Sequence, residues 1–595
     1  MRALLLHPGD DFHGPWTCEH WDSVVDLGRA PKSFYDERCA DLGCPVFSIF
    51  DLALEVDDLR IWRGLLALGM GRVVDRFGID WWDVIGLMLQ PELQDVQLAL
   101  RLVEKLRGCR VLAASRPSLT AEAVRLQLGI PLQALPRGLR KRLADGILRR
   151  SVTAAANLSF NQFLQVVYDK YDPHYRWRRK LAGPAAQPAN GKSEAPSEPL
   201  VLLPSAYSNV TKTALRYAGI LPNQKFLLVL ARESGAVSPV PANVARARLA
   251  SFATSRYDRN ELRELEVCWQ RMEQALAEHP AFRLAARIGI LKKGPRWLRW
   301  GVAVRDAWVR VFETRAVAAC LSADDSNPYT RIPLLLAEQR GIPALACHHG
   351  ALDCRMAFKN PRFSNYLAKG EMERDYLERI CGVDGARICI GAAPAAAPGQ
   401  ENASLWSADA PWLVFFTEPY EADFWRVEAI YREVLPRLCA AARASGKSVV
   451  LKLHPFESAR QRRRLVQRIL SEQDRKLVSV TDAPLSGEIL RKTWCAVTVE
   501  STVAFECAAH GIPAFLCGWL RHAYSGYAPQ YVRFGVGCML ENADDLLRIP
   551  EVLHASIPGP DTARRLIQAI SPEALAEVLR PPVEARSVSH TKEGL

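Results

Sequence analysis

The sequence predicts an α/β protein built from three doubly wound parallel sheets. Short apolar runs alternate with longer amphipathic stretches along the 595-residue chain, the pattern of parallel β/α units. Two stretches rich in Ala, Pro, Gly and Ser, 181–199 (LAGPAAQPANGKSEAPSEP) and 392–410 (AAPAAAPGQENASLWSADA), lack an apolar period and read as linkers. A composition of 49% hydrophobic and 24% charged residues is that of a globular protein. It excludes a disordered chain, a fibrous repeat and a small disulfide scaffold. The expected domains are 1–178, 200–391 and 411–580, with a tail at 581–595.

The strands follow in order. The first block offers RALLLHP (2–8), SVVDLG (23–28), PVFSIF (45–50), RVLAAS (110–115) and PLQAL (131–135). The middle block offers LVLLP (200–204), KFLLVL (225–230), VAACLS (317–322), PALAC (343–347), NYLAK (365–369) and RICIG (387–391). The last offers WLVFF (412–416), SVVLKL (448–453), LVSV (477–480), CAVTV (495–499) and PAFLCG (513–518), with helices expected at 421–444 and 501–510.

The apolar run Ala3 to Leu6 is too short for a signal-peptide core, and acids follow it. No window reaches 18 uninterrupted apolar residues. The 15 cysteines include no CxxC pair. A cytoplasmic protein with reduced thiols is the expectation.

The net charge is +12, and its distribution is uneven. Residues 287–315 hold eight basic residues (Arg287, Lys292, Lys293, Arg296, Arg299, Arg305, Arg310, Arg315) against Asp306 and Glu313. Trp297, Trp300, Val304, Trp308 and Val311 recur there at helical spacing. A basic helix bearing tryptophans suits an anionic membrane surface; the alternative is a packed domain helix with a solvated basic face. The rest of the surplus reads as diffuse. No RNP, KH or helix-turn-helix signature is present, so nucleic acid is not an expected partner.

Doubly wound sheets bind ligands at the carboxyl ends of their strands, so the loops that follow strands are the candidates. Lys452-Leu-His454-Pro455, followed by Glu457, delivers a cation and an imidazole to that edge, and the proline ends the strand. Glu500-Ser501-Thr502 follows CAVTV and opens a helix, a place for a phosphate or an ordinary cap. His510-Gly511-Ile-Pro513 then turns into the next strand. PALAC runs into His348-His349-Gly350, and the preceding strand ends at Asp324-Asp325-Ser326. A carboxylate beside an imidazole is the equipment of a general base; a turn and helix start is the alternative for the acids. Thr417-Glu418-Pro419-Tyr420 follows the first strand of the last block. Gly9-Asp10-Asp11-Phe12-His13-Gly14 reads as an acceptor loop or a structural turn. No metal is expected, because the His pair lacks an HxxxH or Cys/His partner, and no organic cofactor is expected. No GxGxxG after a strand, GxxxxGK[ST] or GxSxG occurs.

The HG loop in one block, with the K-x-H-P turn, E-S-T and G-I-P in the next, resembles GT-B fold glycosyltransferases over residues 200–580. More narrowly it is similar to the bacterial capsule and surface-polysaccharide group, including CMP-Kdo and CMP-sialic acid transferases and CDP-glycerol glycerophosphotransferases. The resemblance implies two facing Rossmann-like domains, an acceptor-side one at 200–391 and a nucleotide-sugar one at 411–580, preceded by an additional α/β domain. It implies that His454 contacts the donor phosphate or protonates it as it leaves. Ser501 and Thr502 would bind phosphate or ribose, with Glu500 beside them, Lys452 adding charge and Glu418 near the base or ribose. His349, or Asp324 or Asp325, would take the acceptor proton, with His348 and Gly350 in the same region. The acid-acid-glycine motif of some CMP-sialic acid transferases stands here as Asp324-Asp325-Ser326, and the glutamine that precedes HG is His348. The implied activity is transfer from a nucleotide-sugar, CMP-sugar favoured, to a surface or capsular glycan, lipid-linked at the inner membrane face. A GT-B nucleotide-sugar epimerase, a polyol-phosphate transferase and a non-catalytic glycan-binding subunit are the alternatives.

Overall fold

The computed structural model describes residues 1–48 apart from 9, 13 and 15–18, residue 52, and residues 63–115, 118–135, 198–253, 258–352, 365–393, 404–420, 425–520 and 527–580. The expected linker 181–199 except its last two residues, positions 394–403 of the second, and the tail 581–595 lie outside the described residues, as does His13.

The apolar runs are strands of three wholly parallel sheets. The first holds β1 (Arg2–Leu6), β2 (Ser23–Asp26), β3 (Val46–Ser48), β4 (Val111–Ala114) and β5 (Leu132–Ala134), in the order β3-β2-β1-β4-β5. The second holds β6 (Leu200–Ser205), β7 (Phe226–Leu230), β8 (Val244–Arg248), β9 (Val317–Ser322), β10 (Ala344–Cys347), β11 (Asn365–Ala368) and β12 (Ile388–Ile390). Its order is β12-β11-β10-β9-β6-β7-β8. The third holds β13 (Trp412–Phe416), β14 (Ser448–Lys452), β15 (Val478–Thr481), β16 (Thr493–Thr498), β17 (Ala514–Cys517) and β18 (Cys538–Leu540), in the order β15-β14-β13-β16-β17-β18.

Each sheet is therefore wound outward in both directions from its first strand, the Rossmann-like order. The reversals fall between β1 and β4, β6 and β9, and β13 and β16. β8 and β18 were not expected: both are edge strands, one alternating Val and Ala with exposed arginines and the other three residues long.

The chain forms two compact units. One comprises Met1–Leu59, Glu92–Asn161 and Gln400–Leu566; the other comprises Arg60–Pro91, Gln162–Gly399 and Ile567–Leu595. The expected block 1–178 is thus not one body.

In the first unit, the first sheet and the chain leading out of β13 share a largely buried cation. Arg426 grips Asp26 in a fork (Nε to Oδ2 2.8 Å, Nη2 to Oδ1 2.6 Å) and donates to the Asp10 carbonyl at 2.8 Å. Phe12 lies 4.6 Å from its guanidinium. The loop at Asp10 is a structural turn: its carboxylate accepts the His7 N–H at 2.8 Å and the Ser115 hydroxyl.

In the second unit, residues 63–91 are held by ion pairs. Arg305 is fully buried and donates to Asp75 and Glu261 at 2.7 Å. Arg331, also fully buried, donates through Nη2 to both oxygens of Asp83 at 2.8 Å and lies 3.3 Å from Asp325. Ile570, Leu575 and Leu579 close the core under β6, β9 and β10, and Ala392 bridges to Ala569. That end of the second expected linker is packed rather than solvated.

The basic, tryptophan-bearing segment is a packed domain helix and not the expected lipid-facing one. Gly294–Thr314 is a helix, but Trp297, Trp300 and Trp308 are 9%, 6% and 0% exposed, and Arg305 is sealed in its ion-pair network. Gly294 and Gly301 admit the rings of Trp269 and Trp81 so closely that a Cβ would lie 1.8 and 2.3 Å from them. The tryptophans are core, and no tryptophan face is left for lipid. No helix among the described residues is long and apolar enough to cross a membrane.

Removing one partner of a buried ion pair leaves an uncompensated charge and costs about 3–5 kcal/mol. Arg331→Met, which strands Asp83 and Asp325, is expected to lose stability on that scale in urea unfolding. A loss below about 1 kcal/mol would show that the pair holds nothing.

Candidate active site

The third sheet brings six expected residues to one carboxyl edge: Glu418 after β13, Lys452 and His454 at β14, and Glu500, Ser501 and Thr502 after β16. Glu418 ties the loops on either side of the reversal together. Its Oε1 accepts the Glu500 N–H at 2.7 Å and the Thr498 hydroxyl at 3.3 Å. Glu500 is buried. The helix after β16 is Val503–Ala509, two residues later than expected. Ser501 Oγ accepts the Val503 N–H at 3.3 Å, and Thr502 makes no side-chain cap bond.

The His-Pro turn is built around Glu457. Its Oε2 accepts the His454 N–H at 2.9 Å and the Thr417 hydroxyl; its Oε1 accepts from Arg462 Nε at 2.9 Å. Burial pushes the Glu457 carboxyl up, against the opposing pull of Thr417, Arg462 and the His454 N–H. Thr417 stood in an expected loop without a role of its own, and Arg462 was not among the expected residues. Their pairing has no sequence signal, because it depends on where Glu457 lands.

The turn fixes the state of His454. Its Nδ1 accepts the Phe456 N–H at 3.2 Å, so the neutral ring carries its proton on Nε2. Burial, helped by the Lys452 charge, lowers its pKa from 6.5 to about 4. At neutral pH the imidazole is an uncharged N–H donor. Lys452 is itself buried, which lowers its pKa, and its Nζ donates to the Leu453 carbonyl at 2.7 Å.

In the other unit, the second sheet carries Asp324, Asp325, His348, His349 and Gly350 after β9 and β10. The two acids serve the fold. Asp324 Oδ1 accepts the Ser326 N–H at 2.7 Å, Oδ2 accepts Asn327 Nδ2 at 2.5 Å, and Asp325 faces Arg331. Both are at most 5% exposed. The His348 and His349 rings lie 4.7 Å apart at 44°. The His348 carbonyl accepts from Lys369 Nζ at 2.6 Å, and Lys369 pairs with Glu373 at 3.3 Å. His349 Nδ1 is buried and has no hydrogen-bond partner among the described residues. Asp325, His348, Tyr366 and Glu373 line a cavity of about 10 Å³, room for one water. Among the described residues, no group of three His, Cys, Asp or Glu side chains is placed to hold a metal ion.

No family model matches the sequence, and no curated protein matches it. Solved structures similar to it include a UDP-GlcNAc 2-epimerase from Neisseria meningitidis bound to UDP-GlcNAc (9% identity, TM-score 0.36, 64% of this chain and 97% of that one). A variant of the wall teichoic acid polymerase TagF is similar at 12% identity and TM-score 0.36, over 70% and 96%. The spinosyn rhamnosyltransferase SpnG is similar at 14% and 0.35, over 64% and 99%. All three scores lie below 0.5, and the Rossmann-like class stands on the strand orders.

A histidine that gains its proton at about pH 4 when folded and at 6.5 when unfolded makes the unfolded state bind more protons between those values. Its contribution to stability is therefore complete above pH 6.5 and is lost as the pH falls toward 4. A proton NMR titration is expected to place the His454 midpoint near 4. A midpoint at or above 6.5 would show that the ring is solvated and free to charge.

Proposed function

We propose that the chain is a glycosyltransferase that uses a nucleotide-sugar. The observation that carries this reading is His454 at the carboxyl edge of the third sheet, its Nδ1 committed to the Phe456 N–H and its Nε2–H left as a donor, next to β13 with Glu418 and two strands from Ser501-Thr502. Uncharged donors, hydroxyls and backbone N–H groups held by a folded frame are suited to a phosphate whose charge grows as the sugar departs. His454 would then stabilise the leaving phosphate by donation. A neutral ring with a depressed pKa is a poor proton source, so leaving-group protonation is not assigned to it.

His349 is the proposed base for the acceptor hydroxyl. Asp324 and Asp325 are less suited, since their oxygens are taken by Ser326, Asn327 and Arg331. The reaction would be displacement at the anomeric carbon: the acceptor oxygen bonds to that carbon, the bond to the phosphate oxygen breaks, and the acceptor proton passes to the base. The resemblance in the motifs supports a CMP-sugar or another cytidine nucleotide as donor and a surface glycan as acceptor.

Thermal unfolding with CMP, CDP, UDP and GDP tests the donor reading, since a ligand that binds only the folded state raises Tm. One cytidine nucleotide is expected to give the largest rise, and no rise with any of the four would overturn nucleotide-sugar use. His349→Ala is expected to fold and to lose transfer by about 10²-fold or more, the scale of a lost base. Conversion of a nucleotide-sugar to its epimer with no acceptor present, with no release of free nucleotide, would assign epimerisation in place of transfer.

A further inference from the structure

The His-Pro turn leads into a second concentration of positive charge. Residues 459–476 carry seven basic residues (Arg460, Arg462, Arg463, Arg464, Arg468, Arg475, Lys476) against Glu472 and Asp474. Most of them lie on the helix Ala459–Ile469. Its inward face is Arg462, Leu465, Val466 and Ile469, with Arg462 paired to Glu457 at 2.7 Å. Arg460, Arg463, Arg464, Gln467 and Arg468 are exposed and recur at i, i+3, i+4, i+7 and i+8, one outward face. Arg468 meets Glu428 at 2.5 Å, whereas Arg460 and Arg464 have no ion-pair partner among the described residues. Phe456, four residues ahead of Arg460, is 74% exposed, the most exposed large apolar side chain among the described residues, and Pro455 beside it is exposed.

The Phe456 ring meets the His454 ring edge-to-face at 4.9 Å and leaves most of its apolar surface in water at the head of an arginine face. Such a ring has a favourable place at the boundary between lipid headgroups and acyl chains. We propose that Phe456 and the Arg460–Arg463–Arg464 face form a docking surface for an anionic lipid bilayer, the ring entering the interface and the guanidinium groups meeting headgroup phosphates. The charge selects anionic lipid, and the exposed ring favours a bilayer over a soluble polyanion, which offers nothing apolar to receive it. His454 would then work close to the membrane plane. The surface stands apart from the nucleotide reading: vesicle binding without nucleotide, or nucleotide without vesicles, separates the two.

The test is flotation of the full chain with phosphatidylcholine vesicles and with vesicles carrying about 30 mol % phosphatidylglycerol. The wild type is compared with Phe456→Ser and with a triple variant, Arg460→Glu, Arg463→Glu and Arg464→Glu. These side chains are exposed, and unchanged thermal melting confirms that the variants fold. Flotation is expected with the anionic vesicles alone, reduced about tenfold or more by the triple variant, clearly weakened by Phe456→Ser, and falling as salt is raised. No flotation with anionic vesicles overturns the proposal. So does flotation that neither variant reduces, and so does charge-dependent retention on heparin by a chain that never floats.

Discussion

The His-Pro turn depends on one buried carboxylate. Glu457 holds the His454 N–H and the Thr417 hydroxyl with one oxygen and Arg462 with the other. Burying a carboxylate is costly unless its lone pairs are used, and these three partners use them. The consequences run in both directions along the chain. Toward β14, the turn commits His454 Nδ1 to the Phe456 N–H and leaves Nε2–H as the ring's donor. Toward the helix Ala459–Ile469, Arg462 is drawn inward, and its neighbours Arg460, Arg463 and Arg464 are thereby turned outward. The candidate phosphate donor and the candidate lipid surface are two outcomes of the same brace.

The first sheet gains a role that its sequence does not announce. Arg426 reaches its carboxyl edge, the place where a Rossmann-like domain would bind a ligand. There it grips Asp26 and donates to backbone carbonyls. Arg426 precedes the helix Val427–Ala444 and follows the loop that starts at Thr417 and Glu418. Through Arg426 the first sheet is tied to the chain that leads from β13 into the helix Val427–Ala444.

What was legible in the sequence is what local physics determines. Buried parallel strands are short continuous apolar runs, so WLVFF and VAACLS are strands to the residue, and the ligand-edge loops follow from where those runs stop. β8 escaped because an edge strand need bury little, and VARAR buries one residue fully. Helix Gly294–Thr314 was legible as amphipathic, but periodicity does not say what lies against it: Trp269 and Trp81 seat on Gly294 and Gly301, and Tyr329 meets Trp300. The same holds for Arg331 with Asp83, 248 residues apart, and Arg426 with Asp26, 400 apart. The charge outside 287–315 is not wholly diffuse either: 459–476 is a second basic segment. The protonation state of His454 was out of reach altogether, because it depends on a backbone N–H two residues on and on burial.

The central claim is that His454 recognises phosphate as a neutral donor. Calorimetric titration of the nucleotide that raises Tm most, across pH 5.5–8 in wild type and His454→Ala, tests it directly. A neutral donor predicts a wild-type affinity that the histidine does not modulate over this range, since its pKa lies near 4. It also predicts a loss of about tenfold or more in His454→Ala, the scale of one hydrogen bond to a charged group. An affinity that rises on acidification through about pH 6.5 in wild type but not in the variant, or one that the variant leaves unchanged, would contradict it.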